Sequence, residues 1–520
     1  MPKLTIDGRE LEVPDGMNLI QAAGQIGIDI PHYCYHPDLP VDGNCRMCLV
    51  EVEKMPKLTP ACATFATEGM TVRTNNERVK EAVRGVLEFL LINHPVDCPV
   101  CDQAGECRLQ DYYMVYGLHT SEIPLDMKVR KHKAVDLGSM VVLDSERCVL
   151  CSRCIRFFEN VTGTGEMQFF GRGDHVEIGT IENKPLTNPY SGNVVDICPV
   201  GALTSRDFRF KCRVWFLLST DSICGGCSTG CNVRIDHRDG TIFRMIARRN
   251  VDVNKSWMCD EGRLSFHELQ TGERVTRPVA RGRDGLQAPV TWDQAIQAAD
   301  SGFKAIAGQY GPDSILGLAS PGATNEALFL FKRYLEHGLG THNLEFRLDS
   351  EDVNALKTED DVLRRLDKHP NSIGARNLGL FSEDLGGIDR AIEAAKQGRF
   401  KAGVIMYLKP LVRRTNDAEH EDKVAELIRS LEYSVVLAAH KAPWLGDAGL
   451  VLPVAHWSEE EGSYTNYQGR EQRAYAAISP EPEILPIWQV MSMLLEARGE
   501  ASVWTSPADV RSLMESGESG

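Results

Sequence analysis

Residues 34–62, CYHPDLPVDGNCRMCLVEVEKMPKLTPAC, and residues 94–107, HPVDCPVCDQAGEC, decide how the chain must be read. The first spaces Cys34, Cys45, Cys48 and Cys62 as C-x10-C-x2-C-x13-C, and the second spaces His94, Cys98, Cys101 and Cys107 as H-x3-C-x2-C-x5-C. Each is a soft four-ligand set, the second with a ring nitrogen in place of one thiolate. Downstream, Cys148, Cys151 and Cys154 run as C-x2-C-x2-C and are completed by Cys198 in a Cys-Pro pair, and Cys224, Cys227, Cys231 and Cys259 form C-x2-C-x3-C-x27-C. Fifteen of the sixteen cysteines are thereby used, and Cys212 is left over.

Thiolates at two- and three-residue spacing can reach one metal centre from a single loop, which means zinc or iron–sulfur. Structural zinc usually pairs two C-x2-4-C knuckles, and only fragments of this chain do so. A C-x2-C-x2-C run closed by Cys-Pro is instead the bacterial ferredoxin pattern, so the spacings favour clusters over zinc. A second cluster there would need a cysteine where Phe158 stands, so the segment is read as a single [4Fe-4S] site. The fourth set is the loosest, and zinc is more tenable there.

The 520 residues are 42% hydrophobic and 25% charged, an ordinary globular composition with room for several domains. Cysteines clustered at ligand spacing point to a reducing compartment rather than to a disulfide framework. A net charge of −16 leaves no basic stripe for nucleic acid. No apolar run reaches the roughly eighteen residues of a spanning helix, the stretches near Trp215 and Val435 being soon interrupted, so membrane contact is expected only through partners. The chain enters KLTIDGRELEV without an apolar or Arg-rich leader, and a bacterial cytoplasm fits.

Leu4 and Ile6, then Leu11 and Val13, alternate on either side of Asp7-Gly8, which predicts a hairpin, and Leu19, Ala22, Ala23 and Ile26 recur at helical spacing. Val79, Val83, Val86 and Leu90 predict a helix that Pro95 stops just after His94. Asp239-Gly240 marks a second hairpin. From Pro278 the short apolar strands DSILGLAS, KAGVIMYL and YSVVLAAH alternate with helical stretches such as NEALFLFKRYLEHGLG, which implies a doubly wound parallel sheet. Glu459, Glu460 and Glu461 read as a solvated or turn feature. No nucleophile–base pair, P-loop or dinucleotide fingerprint stands out, so electron carriers rather than a substrate pocket are expected.

The stretches CYHPDLPVDGNCRMCLVEVEK, NHPVDCPVCDQAGECRLQDYY, RCVLCSRCIRF and VVDICPVGAL resemble the large iron–sulfur subunit of respiratory complex I, the proton-pumping NADH:quinone oxidoreductase. The x10 gap after Cys34 departs from the x4 of plant-type ferredoxins but agrees with that subunit. The resemblance is close over residues 1–275 and weaker beyond. It implies a multidomain α/β and α+β chain. Residues 1–78 would be a β-grasp ferredoxin domain with a [2Fe-2S] cluster on Cys34, Cys45, Cys48 and Cys62. Residues 79–120 would be a helical module with a [4Fe-4S] cluster on His94, Cys98, Cys101 and Cys107. Residues 121–215 would be a ferredoxin-like module with a [4Fe-4S] cluster on Cys148, Cys151, Cys154 and Cys198. Residues 216–275 look like the small cluster domain of molybdopterin oxidoreductases, with a [4Fe-4S] cluster on Cys224, Cys227, Cys231 and Cys259. Residues 276–520 would be a shortened molybdopterin-oxidoreductase-like α/β domain without cofactor.

By the same resemblance the [2Fe-2S] centre takes electrons from FMN- and NADH-binding subunits. The all-cysteine and histidine-ligated [4Fe-4S] centres pass them toward a two-[4Fe-4S] subunit and on to quinone. The chain would hold no NADH, FMN or quinone site and would lie peripherally at the cytoplasmic side of the bacterial inner membrane. The competing reading is a molybdopterin-dependent, NAD-linked formate dehydrogenase catalytic subunit, which commonly needs a cysteine or selenocysteine ligand downstream, yet no cysteine follows Cys259. An iron-only hydrogenase fails for the same reason, and a zinc-stapled scaffold would be colourless. Molybdopterin relatives place a basic residue two positions after the last cluster cysteine, where this chain has Glu261. A negative charge there should disfavour an anionic pterin, so residues 276–520 are expected to serve as scaffold, with the fourth centre kept for folding.

Overall fold

Left-handed backbone at Asp7 (φ 46) and Gly8 (φ 79) closes the first hairpin of the computed structural model, Lys3–Ile6 against Arg9–Glu12. The structure describes residues 1–117, 120, 123–282, 284–347, 357–412, 417–500 and 504–516, so the expected module boundary at residue 121 lies outside the described residues. The chain divides into two compact units, Met1–Leu217 and Leu218–Gly520.

In the first unit the hairpin joins a five-stranded sheet in the spatial order Arg9–Glu12, Lys3–Ile6, Met70–Arg73, Leu49–Val52, Thr59–Pro60, with Lys3–Ile6 parallel to Met70–Arg73. Leu4 and Ile6 are buried in one core with Leu19, Ala22 and Ala23 of the helix Leu19–Gln25. That helix starts at a capping box in which Asn18 and Gln21 satisfy each other's backbone N–H groups. The helix Glu77–Leu91 begins at Asn76, whose side chain accepts from Val79 N at 2.9 Å. Its buried row is Val79, Val83 and Leu87, while Val86 and Leu90, expected inward, are only half-buried. A straight i, i+4, i+8 ridge turns those two aside. The helix ends at Leu91, and His94 stands three residues further on. Behind the third cysteine set, Leu203–Ser205, Val141–Leu143 and Val135–Asp136 make an antiparallel sheet.

In the second unit Asp239 (φ 49) and Gly240 (φ 74) fold Asn232–Arg238 back on Thr241–Ala247, and Leu218–Ile223 completes that sheet. A seven-stranded sheet follows, in the order Gln287–Pro289, Val279–Arg281, Leu450–Pro453, Tyr433–Ala438, Ala402–Tyr407, Ile315–Leu318, Leu344–Glu345. The last five are parallel, as strand–helix alternation predicts, and the first two form an antiparallel edge hairpin. Helices Trp292–Tyr310, Asn325–Arg333 and Ile487–Ala497 pack into one hydrophobic core, and Ile388–Lys396 and Asp417–Arg429 into another, so the sheet is wound on both faces. Complete burial of Phe303, Phe331 and Phe400 contributes roughly 1.5–3 kcal/mol each.

The acidic run begins in a turn, Trp457–Glu459, as one of the two expectations had it, but two of its three carboxyl groups are not solvated. Glu459 accepts from both arms of Arg274 at 2.9 and 2.8 Å, and Glu460 accepts from Ile487 N at 3.0 Å, at the start of a helix. Both carboxylates are buried, and only Glu461 is exposed. Their partners lie 185 and 27 residues away, beyond the reach of local charge pattern.

Candidate metal centres

Four loops carry the sixteen candidate ligands. Cys34 follows the first helix, Cys45 and Cys48 lead into Leu49–Val52, and Cys62 lies in the turn Ala61–Ala63. Arg46 takes φ 57 between Cys45 and Cys48 and curls that segment tightly. The sulfurs are neighbours: hydrogen bonds from Cys45 and Cys62 hold the Cys34 thiol far below its ordinary range, and Cys34 in turn pushes Cys45 and Cys62 up.

Cys98 opens the turn Cys98–Val100, and Cys107 precedes the helix Arg108–Tyr116. Cys98, Cys101 and Cys107 stand within electrostatic reach of one another, and burial pushes the Cys107 thiol up to about 11. His94 is oriented by its own turn: its Nδ1 accepts from Val96 N at 3.1 Å, with Val96 at φ 52. Lys128, which the sequence did not flag, donates to the carbonyls of Leu91 at 2.9 Å and His94 at 2.7 Å, tying down both the helix end and the ligand. Burial depresses the His94 pKa to about 4, so the ring is neutral at pH 7, the form a metal ligand needs. With Nδ1 accepting from Val96, Nε2 carries the proton of the neutral ring, and His94 would have to give that proton up or change tautomer to hold a metal.

Cys148, Cys151, Cys154 and Cys198 come from the turn after Arg147, the helix Arg153–Asn160 and the Cys198-Pro199 corner. All four thiols lie within mutual electrostatic reach, and burial raises them, Cys151 to about 11. Cys224, Cys227, Cys231 and Cys259 line one cavity with Arg364 and Lys368. Cys259 caps its helix by accepting from Gly262 N at 3.3 Å. A Cβ on Gly262 would stand 2.9 Å from Cys224 Sγ, so glycine is required there. Burial lifts Cys224 to about 12.

The Glu261 carboxylate meets Arg364 Nη1 at 2.9 Å and Lys368 Nζ at 3.4 Å, and the same two cations also pair with Glu359 and Asp360, so three carboxylates share two cations beside this cavity.

All sixteen cysteines are free of disulfides, and the Cys212 thiol donates to the Arg213 carbonyl at 3.5 Å. Among the described residues no three His, Cys, Asp or Glu side chains converge as on a single bound ion, so the sets are defined by order and common burial. Buried thiols stay protonated unless a cation replaces the proton, and the all-sulfur donor sets suit iron–sulfur centres in that role.

Matches to family descriptions run through the chain in the same order as the loops. A 2Fe-2S iron-sulfur cluster binding domain matches residues 2–77, the NADH-ubiquinone oxidoreductase-G iron-sulfur binding region residues 84–122, and the ferredoxin-like domain of NADH-quinone oxidoreductase subunit 3 residues 138–204. The NADH-ubiquinone oxidoreductase NDSU1/NuoG-like 4Fe-4S domain matches residues 217–267, and molybdopterin oxidoreductase residues 274–390 and 362–497. The G-type subunit of NADH-quinone oxidoreductase from Streptomyces coelicolor is 42% identical over 66% of this chain and 40% of its own length. Its Rickettsia bellii counterpart is 40% identical over 67% and 51%, and the mitochondrial NADH dehydrogenase [ubiquinone] iron-sulfur protein 1 of Solanum tuberosum is 42% identical over 65% and 45%. The chain belongs to the family of G-type NADH-quinone oxidoreductase subunits. It spans about half the length of these relatives. Membership of this family favours clusters over the zinc scaffold and complex I over formate dehydrogenase.

Proposed function

We propose that the chain is an electron-transfer subunit of a proton-translocating NADH:quinone oxidoreductase. Its ligands would be Cys34, Cys45, Cys48 and Cys62 for a [2Fe-2S] centre in a β-grasp domain over residues 1–78. His94, Cys98, Cys101 and Cys107 would serve a [4Fe-4S] centre in residues 79–120, Cys148, Cys151, Cys154 and Cys198 another in residues 121–215, and Cys224, Cys227, Cys231 and Cys259 a third in residues 216–275. Residues 276–520 then act as a scaffold without molybdenum cofactor. When bound, the clusters supply one-electron redox chemistry, while the protein fixes their spacing, charge and dryness.

The observation that carries this reading is that the first three ligand loops are laced together within one unit. Arg153 spans Tyr35 and Ile197, Arg147 spans to Asp97, and Arg108 N donates to Pro199 O at 3.0 Å. Each link joins neighbours of two different ligand sets. Electrons would come from FMN- and NADH-binding subunits and leave through a two-[4Fe-4S] subunit toward quinone. No helix among the described residues is long and apolar enough to cross a membrane, which fits a peripheral place at the cytoplasmic side of a bacterial inner membrane, held by partners.

Anaerobic purification should yield about fourteen iron atoms per chain with matching sulfide. Iron near zero with zinc near four would overturn the reading. His94→Cys should keep a cluster but lower its potential, since thiolate restores a negative charge, and an unchanged redox titration would remove His94 from the ligand set.

A further inference from the structure

Two guanidinium groups, Arg156 buried and Arg153 half-buried, stand between the loops of the first and third ligand sets. Arg153 and Arg156 lie one turn apart on the helix Arg153–Asn160, on the same side. Arg156 donates through Nη2 to the carbonyl of Cys34 and, at 3.4 Å, to the carbonyl of Cys151. Its Nη1 holds the Pro40 carbonyl and its Nε the Ser152 hydroxyl at 2.9 Å. Arg153 donates to the carbonyls of Tyr35 and, at 3.0 Å, Ile197, the residues beside Cys34 and Cys198. Asn44, beside Cys45, adds a third tie to the Leu150 carbonyl at 3.3 Å.

Among the described residues neither guanidinium lies within ion-pairing distance of a carboxylate; their acceptors are carbonyls and the Ser152 hydroxyl, through which Arg156 reaches Asp42. A buried cation is costly unless a counter-charge faces it. The groups that face Arg153 are the like charge of Arg156 and the sulfurs of Cys151, Cys198 and Cys34, which would become the counter-charge once they hold clusters. Four thiolates on either cluster type leave a net negative centre, and each added electron makes it more so.

Resting on the cluster reading above, we propose that Arg153 and Arg156 are positioning residues for electron exchange between the first and third centres. They fix the separation of the two loops and place two positive charges between two anionic centres, which holds both reduction potentials up. The exchange moves one electron, oxidising one centre and reducing the other, with no bond made or broken.

The test is an EPR-monitored redox titration of the full-length, anaerobically loaded chain, with iron and sulfide measured alongside. Arg156→Gln should lower the midpoints of the [2Fe-2S] signal and the all-cysteine [4Fe-4S] signal together, each by at least tenfold in the reduced-to-oxidised ratio, about 59 mV for one electron. Arg156→Lys should restore the midpoints, because it keeps the charge, while altering the magnetic interaction between the two centres, because it loses the fork. Midpoints unchanged, or only one shifted, at full iron content would overturn the inference. Should Arg156→Gln fail to load iron, Arg153→Gln carries the same expectation and the same refutation. A wild-type chain without iron would instead overturn the cluster reading itself.

Discussion

The Arg147 guanidinium grips the Asp97 carboxylate with two arms, Nε to Oδ1 at 3.0 Å and Nη2 to Oδ2 at 2.7 Å, and the two residues immediately precede Cys148 and Cys98. One ion pair therefore joins the loops of the second and third ligand sets. Lys133 extends it to Asp144 and Glu146 at 3.5 and 2.8 Å. Burial opposes the charge on Asp97, but the hydrogen bonds and charge of Arg147 win and hold its carboxyl below the usual carboxylate range.

Arg147→Ala leaves Asp97, Asp144 and Glu146 to Lys133 and the exposed Arg130, and its expected cost is about 3 kcal/mol, the lower range for breaking a buried pair, since Asp97 is partly exposed. Because the folded carboxyl is depressed, the pair's contribution is complete above about pH 4 and fades as the pH falls further. Denaturant midpoints at pH 7 and pH 3 check this: the variant should be weaker at pH 7 and lose less on acidification. Equal midpoints at pH 7 would show the pair to be idle.

Gly201→Ala should cost the second centre its iron. A methyl group there would collide with Cys101 Sγ and press on Gln103 Cβ at 3.1 Å. Iron should fall by about four atoms per chain, with loss of one EPR signal. A full iron count would mean that the sulfur moves aside at no cost.

Glu460 sets an alkaline limit on the second unit. Burial lifts its carboxyl to about 8, against an unfolded value near 4.5, so the folded state holds a proton that the unfolded state has lost. Stability from this group is full below about pH 4.5 and is lost as the pH rises through 8. Glu460→Gln keeps an oxygen for the Ile487 N–H without needing the proton. Its melting temperature should fall less than that of the wild type between pH 6 and pH 9, and parallel falls would refute the assignment.

Glu261→Gln should raise the potential of the fourth centre alone. It removes one of the three carboxylates around Arg364 and Lys368, beside Cys259 and Cys227. Since Glu261 is partly exposed, a shift of roughly tenfold in the reduced-to-oxidised ratio is expected, read by redox titration. A shift in any other signal would place the charge elsewhere.

The ligand loops were legible because spacing along a chain is a local property, and so were the Asp7-Gly8 and Asp239-Gly240 turns, whose left-handed backbone only a few residue types accept. Arg147, Arg153 and Arg156 stand in plain view in RCVLCSRCIRF, yet nothing in their spacing separates a surface arginine from one that crosses to Cys34. The same limit hid Lys128 under His94 and the cations that pair with Glu261. Leu87 displaced Val86 from the buried row because packing selects one ridge among several apolar positions that all fit a helix. Glu459 and Glu460 read as solvated because three adjacent carboxylates usually are, and the partners that bury them come from Arg274 and Ile487.

The fourth cysteine set is roofed by chain made long after it. The Thr229 hydroxyl donates to the Leu363 carbonyl, Ser228 O accepts from Tyr467 N at 2.8 Å, the Asn232 side chain donates to that of Gln472 at 2.6 Å, and Leu411 and Trp457 crowd Gly225. During synthesis the ribosome must make residues 260–362 between the last ligand and the first roofing contact. At about 5–20 residues per second that stretch takes roughly five to twenty seconds. The fourth set is therefore unroofed on the nascent chain for that interval, and slower translation between Cys259 and Leu363 would lengthen it.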